Sequence, residues 1–341
     1  MTDVNLTSAS ARVAAPETST TQFANDVQYY LTLQPRQLPS RYLYDSLGSA
    51  LFDAICHLPW YRVTRCELRL LAAHGREIWQ QRSTRPFDTI VELGGGTGEK
   101  LVTLLATRAA MSGWASPSVG ARLDVHLIDV SASALAVSAR ALGGLDAVHV
   151  VTHQARYEVG LADAAAARRA AGRTLVLFLG SNVGNFDPPG AEAFLVGVRS
   201  ALTRGDAFLI GADLVKEPSA LLLAYDDPLG VTAAFNRNLL VRINRELGGD
   251  FDVNAFSHRA IWNAEESRVE MHLVSGQRQS VSVPAAPLEL DLEEGESIWT
   301  ESSYKYTPEG IVQVLDRAGF RLLEQWLDRE DGFALTLVEA I

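Results

Sequence analysis

Between Ile90 and Leu214 the chain alternates short runs that are apolar on both faces with longer Ala- and Leu-rich stretches. The runs are Ile90-Val91 with Leu93, then Leu123–Val130, Ala147–His153, Thr174–Gly180 and Ala207–Leu214. A strand that is apolar on both faces and flanked by helices predicts a parallel sheet covered on both sides. The alanine-rich stretch inside Gln154–Arg173 reads as one of the covering helices. Upstream, Leu51, Phe52, Ile55 and Leu58 recur at helical spacing until Pro59 stops them, and a second helix follows from about Cys66 to Gln81.

From Lys216 the pattern changes. Glu217–Leu247 reads as a long helix broken near Asp226-Asp227-Pro228. Arg268–Val274 then sets Val269, Met271 and Leu273 against Arg268, Glu270 and His272, the alternation of a half-buried antiparallel strand. Ser280–Val283 and Leu288–Leu292 alternate too, which predicts a second sheet inserted into the first domain. The α/β pattern resumes at Thr307-Pro308, an N-cap and first-turn pair, with the helix running to Ala318 and ending at Gly319. Two final strand-like runs, Phe320–Leu327 and Phe333–Val338, flank an acidic turn and predict a terminal hairpin.

Composition narrows the functional classes. A chain of 341 residues, 47% hydrophobic, can bury a large core. Its net charge of −11 argues against a nucleic-acid or anionic-membrane partner, and no apolar run is long enough to span a bilayer. The first two dozen residues lack a cationic region followed by an apolar one, so they read as a loose tail and not as a signal peptide. Cys56 and Cys66 have no metal-ligand spacing. No metal site or disulfide framework is expected, and a reducing cytoplasm is.

The chemistry gathers at the ends of the predicted strands. Gly94-Gly95-Gly96 follows the first strand and precedes a helix, the arrangement in which backbone approaches a nucleotide closely and helical N–H groups face it. Asp129 ends the second run, where an acid accepts hydrogen bonds from ribose hydroxyls. The turn lacks a Walker lysine–hydroxyl pair, and Glu92 within the strand suits a cationic or neutral ligand better than a pyrophosphate. Lys100, in the first helical turn, is a candidate for a cofactor carboxylate. Ser181–Phe186 (SNVGNF) follows the fourth strand and sets Gly180 and Asn185 beside the same ligand. Glu301 and Ser303 lie two residues apart, so on an extended strand both face one way. An acid and a hydroxyl side by side suit the two ring nitrogens of an imidazole.

A terminal antiparallel hairpin on a parallel sheet is the closing element of class I methyltransferases that use S-adenosylmethionine. Tyr44-Asp45-x-x-Gly48-Ser49-x-Leu51-Phe52, Tyr61-x-x-Thr64-Arg65, VELGGGTGEK, FLGSNVGNF, GADLVK, AYDDPLGVTAAFNRNLL, Arg268–Met271 and Glu301-x-Ser303 together resemble the ergothioneine-pathway histidine Nα-methyltransferases. The resemblance runs from about Gln28 to the C-terminus.

It implies a class I, Rossmann-like α/β sheet with a terminal antiparallel hairpin, plus a second α+β substrate-binding domain. The expected divisions are a tail over 1–25, a substrate domain over 26–64 and 216–304, and a cofactor domain over 65–215 and 305–341. It implies further that Asn185 and Tyr225 hold the α-carboxylate of L-histidine, and that Tyr44 and Gly180 line the space around the amine. Phe52 and Tyr61 would be walls, Glu301 and Ser303 would grip the imidazole, and Met271 would pack on the ring. Gly94, Gly96, Lys100, Asp129 and Tyr157 would hold S-adenosylmethionine. The expected product is hercynine, formed by a cytoplasmic monomer, with Tyr44 or a water beside Asn185 taking the amine proton. Arg156 stands where the family has an acid, and Arg62-Val63 replaces an aromatic–proline pair. Gly98 and Asn182 replace small hydroxyl residues. These departures leave open a different amino-acid substrate, or a non-catalytic cofactor-binding protein.

Overall fold

The runs that are apolar on both faces do form one sheet. A computed structural model describes residues 20–81, 86–111, 122–145, 148–168 and 172–341. The N-terminal segment supplies helix α1 (Thr20–Leu31), strand β1 (Arg36–Gln37) and helices α2 (Ser46–Cys56) and α3 (Val63–Trp79). The α/β body continues with β2 (Phe87–Leu93), α4 (Glu99–Ala109), β3 (Leu123–Asp129), α5 (Ala132–Leu142), β4 (Val148–Gln154), α6 (Tyr157–Ala166), β5 (Arg173–Phe178), α7 (Pro188–Ala201) and β6 (Ala207–Asp213). Then come α8 (Pro218–Tyr225), α9 (Val231–Leu247), β7 (Phe256–Asn263), β8 (Arg268–Ser275), β9 (Gln279–Val283), β10 (Leu288–Leu292) and β11 (Ser297–Tyr304). Helix α10 (Pro308–Arg317) and the hairpin β12 (Phe320–Asp328) and β13 (Phe333–Ala340) close the chain.

The seven-stranded sheet has the order β12-β13-β6-β5-β2-β3-β4. Strands β6, β5, β2, β3 and β4 are parallel, and β13 runs antiparallel between β6 and β12. β5 and β6 are buried at every residue, as double coverage by helices requires. From β2 the chain moves outward to β3 and β4, then returns to β5 on the other side. The crevice at the carboxyl ends of β2 and β5 is therefore the switch point where such sheets bind ligands. The N-cap of α10 is as expected: Thr307 accepts from the Gly310 amide at 2.9 Å, and Gly319 has φ +90°.

The second sheet has the order β1-β11-β8-β7, with β1 parallel to β11 and the other pairs antiparallel. The N-terminal segment and the insertion thus share a sheet. One buried cluster runs from Phe23 and Tyr42 through Leu273 to Leu335, while Val91, Phe178, Phe208, Ile311 and Phe320 form a second on the opposite face of the main sheet.

Three expectations need correction, and one strand was not foreseen. Residues 1–19 of the expected tail, Ala147 of the third run and residues 169–171 of the alanine-rich stretch lie outside the described residues. The tail reading does not extend past them, because Thr20–Asn25 opens α1 and buries Phe23 and Ala24. Helix α3 begins at Val63, not Cys66, since Val63 is itself a core residue. β9 and β10 do not join the second sheet and pair only with each other. β7 is an unforeseen edge strand: of its residues only Phe256 is fully buried, so its alternation is faint in the sequence.

Candidate active site

The floor of the site is the turn after β2. Gly94, Gly96 and Gly98 have φ of +67°, +57° and +77°, a left-handed conformation that glycine adopts without cost. Ser138 Oγ donates to the Gly96 carbonyl at 2.7 Å and holds the turn down. A Cβ at Gly95 would lie 2.4 Å from Glu92 Oε2, so the turn sits directly on that carboxylate. Glu92 is 1% exposed, and neither of its oxygens has a hydrogen-bond partner. Burial pushes it up to about 7, with Lys100 pulling the other way.

The remaining predicted cofactor residues surround this turn. Asp129 ends β3 and accepts from the Ser131 amide at 2.8 Å, while its burial raises it above the usual carboxylate value. Tyr157 opens α6, packs edge-on against Phe178 and Phe194, and turns its phenol over Gly94. Lys100 is not free to meet a ligand on charge alone. Its ammonium lies 2.7 Å from Glu67, a fully buried acid of α3 that also accepts from the Gly180 amide at 2.8 Å. Burial alone would lower the lysine, and Glu67 outweighs it. Arg156 does not enter the crevice. Its side chain is 77% exposed and lies near Glu158.

S-adenosylmethionine fits this floor. The orphaned, buried Glu92 carboxylate matches a cationic amino-acid moiety. A Cβ at Gly96 would meet nothing within 4 Å, so backbone is open to the ligand there.

Beside the floor is an open pocket of about 470 Å³, a volume that includes the solvent at its mouth. Every residue assigned to the substrate from the sequence lines it: Tyr44, Phe52 and Tyr61 from the N-terminal segment, Gly180 and Asn185 after β5, Tyr225, Met271, Glu301 and Ser303 from the insertion. Ser181, Asn182, Thr232 and Phe235 line it too and were not foreseen. Phe235 carries the helical apolar spacing of α9 and reads from sequence as core. Its ring stands 5.5 Å from Tyr44 and 5.9 Å from Phe52, completing an aromatic wall with Tyr61 and Tyr225. Ser181 adopts φ +60° directly after Gly180 at +81°. This uncommon conformation for a non-glycine residue is held by its hydroxyl accepting from the Asp213 amide at 2.9 Å.

The strand carrying Glu301 and Ser303 has a register shift between Trp299 and Glu301. Before the shift Ile298 and Thr300 are buried; after it Glu301 and Ser303 are. The bulge moves the inward face from even to odd positions and so aims both polar groups at the cavity, with Met271 the cross-strand partner of Glu301. Thr300 is anchored to Asn236 at 2.7 Å, and Asn236 contacts His258, whose Nε2 lies 2.8 Å from the Tyr225 carbonyl. Burial raises Glu301 from 4.5 to about 7 against the pull of Lys305.

Two expectations change here. Burial raises the Tyr44 phenol well above its ordinary value, which disfavours the ionised form a base would need near neutral pH. Arg62 leaves the pocket loop altogether and pairs with Asp331 on the terminal hairpin. Cys66, Asp328 and Asp331 come together there, but Arg62 and Arg69 already pair with the carboxylates, and burial pushes the thiol up to about 12.

A parallel sheet closed by an antiparallel hairpin, with a glycine turn and an orphaned acid beneath an aromatic cavity, defines a class I S-adenosylmethionine-dependent methyltransferase for a small substrate. The chain belongs to the histidine-specific, S-adenosylmethionine-dependent methyltransferase family, whose pattern matches residues 23–340. It is 39% identical to a histidine N-alpha-methyltransferase of Mycolicibacterium smegmatis over 96% of this chain and 98% of that protein. It is 40% identical to a protein of the same description from Mycobacterium tuberculosis, over 92% and 93%. Ergothioneine biosynthesis protein 1 of Schizosaccharomyces pombe is 26% identical over 86% of this chain, which spans 38% of that longer protein.

Proposed function

We propose that this protein methylates the α-amine of L-histidine three times, giving hercynine, as the opening step of ergothioneine biosynthesis. The observation that carries the reading is the presence of Glu301 and Ser303 on the cavity face of β11, with Met271 as the cross-strand partner of Glu301. The acid accepts from one ring nitrogen and the hydroxyl serves the other. Asn185 and Tyr225 take the α-carboxylate, which leaves the amine toward Tyr44, Gly180 and the floor.

Bound S-adenosylmethionine supplies a methyl group on a sulfonium, already a good leaving group. The chain's own task is therefore to orient and desolvate the amine. Gly94, Gly96, Lys100, Asp129, Tyr157 and Glu92 hold the cofactor. Phe52, Tyr61, Tyr44 and Phe235 make no demand for an N–H, so they tolerate each added methyl and favour the growing cation. Tyr44 stays protonated and orients, and a water beside the exposed Asn185 carries off the amine proton. One chain supplies every wall of the cavity, so the reading needs no second copy, and no described helix is long and apolar enough to cross a membrane. It has the enzyme act as a cytoplasmic monomer. Incubation with S-adenosylmethionine and histidine, followed by mass spectrometry, is expected to show one to three added methyl groups. Product from another amino acid and none from histidine would overturn the reading.

A further inference from the structure

Lys305 follows β11, and its side chain is fully buried. Its ammonium lies 2.7 Å from Ser303 Oγ, 2.8 Å from Tyr225 Oη and 3.1 Å from Asp213 Oδ2. An ammonium has three protons, and these three oxygens take them all. Asp213 also pairs with Lys216 through its other oxygen at 2.7 Å, so one carboxylate is shared between two ammonium groups.

We infer that Lys305 is a positioning residue that fixes Ser303 and Tyr225 as hydrogen-bond donors toward the substrate, and through Ser303 selects an uncharged imidazole. This rests on the histidine reading above. Each hydroxyl oxygen accepts from the ammonium and is polarised toward giving its own proton away. Ser303 Oγ and Tyr225 Oη are 2.8 Å apart, a contact that uses one of their two protons. A ligand with a ring nitrogen at Ser303 and a carboxylate at Tyr225 takes both. Glu301, on the same face, offers only lone pairs when ionised. The cavity therefore presents one acceptor and one donor at the spacing of two residues on a strand. Neutral imidazole matches both, imidazolium brings a second proton where Ser303 already gives one, and an indole or pyrrole leaves the Ser303 proton unpaired.

The test is calorimetry in the presence of S-adenosylhomocysteine, comparing histidine with its two pyrrolyl analogues, 3-(pyrrol-2-yl)alanine and 3-(pyrrol-3-yl)alanine. Each keeps one ring N–H and carries C–H in place of the other nitrogen. The unaltered protein is expected to prefer histidine by about tenfold or more over the better analogue. Lys305→Met is expected to bring that preference to within about threefold, as is Ser303→Ala, with no further loss in the double variant. Lys305→Gln, which still offers two N–H donors, is expected to recover it. A variant that had only loosened the fold would weaken all three ligands alike, so an unchanged preference in Lys305→Met overturns the assignment. A preference near one in the unaltered protein overturns it without any variant. Failure of the unaltered protein to bind histidine at all counts instead against the proposed function.

Discussion

The floor and the roof adjoin at Gly180 and Asn182, which line the cavity and lie against Lys100 and Gly94, but the two are built by different means. The floor is centred on one contiguous stretch, Glu92 to Lys100, whose left-handed glycines make close approach of backbone feasible, with Asp129 and Tyr157 beside it. The roof is side chains brought together from Tyr44, Tyr225, Phe235, Met271 and Glu301, segments far apart in the chain. On the proposed reading, the floor holds what any S-adenosylmethionine enzyme must hold, while the roof's side chains decide which amine receives the methyl. If that division is physical, substitutions in one half should move one ligand and leave the other.

The largest effect is expected where the halves are joined. Gly184 lies in the short turn after β5, and a Cβ there would come 2.6 Å from the Tyr304 carbonyl of the roof strand. Gly184→Val must push the turn carrying Asn185 away from β11. A displacement of about 1 Å can cost on the order of 100-fold in rate, so kcat/KM for histidine is expected to fall by at least that much. Steady-state kinetics checks it; a rate within about threefold of normal would mean that floor and roof tolerate separation.

Next come paired substitutions that should cross. Removing a charge-assisted hydrogen bond costs about 1.5–3 kcal/mol, so Glu301→Ala is expected to weaken histidine binding about 10- to 150-fold while S-adenosylmethionine affinity holds. Gly95→Ala sets a methyl group against Glu92 and is expected to weaken the cofactor by about tenfold or more. Calorimetry with each ligand reads both. If either variant weakens both ligands equally, the division fails.

The same contrast explains what the sequence disclosed. The main sheet, α10 and the terminal hairpin were legible because their patterns are local: apolar runs, an N-cap at Thr307, a glycine at 319. Glu301 and Ser303 were legible as a pair because spacing of two on a strand shares a face. The bulge that selects the face was not, since a register shift depends on the partner strand. Lys305, Glu67 and Phe235 were missed because nothing local distinguishes them from a surface lysine, a helix acid and a core phenylalanine. Only the fold brings Lys305 to Tyr225 and Asp213, and Glu67 to Lys100.

A pH profile sharpens the roof's side of the comparison. Burial holds Glu301 at about 7. Above that pH the carboxylate accepts the ring N–H; below it the acid is protonated and that acceptor weakens. KM for histidine is therefore expected to rise as pH falls through about 7, and Glu301→Gln is expected to flatten this limb. Free histidine's own ring titrates near 6.5 in both experiments, so what differs between the two profiles is the contribution of the Glu301 carboxylate. Identical profiles would remove the carboxylate from the grip.

The smallest effect is expected at Arg156, which tests whether position in the sequence or direction of the side chain decides membership of the floor. By position it belongs there, immediately before Tyr157. By direction it does not: the guanidinium is solvated and faces Glu158 at 3.7 Å, and an exposed pair of that kind is worth little. Its backbone is extended and opens α6 without a side-chain cap, so truncation leaves the helix start intact. Arg156→Ala is thus expected to change S-adenosylmethionine affinity by no more than about twofold, the range of an ordinary surface substitution. A tenfold loss would show that the arginine swings inward when the cofactor binds, and that the floor recognises its ligand through a long side chain as well as through backbone.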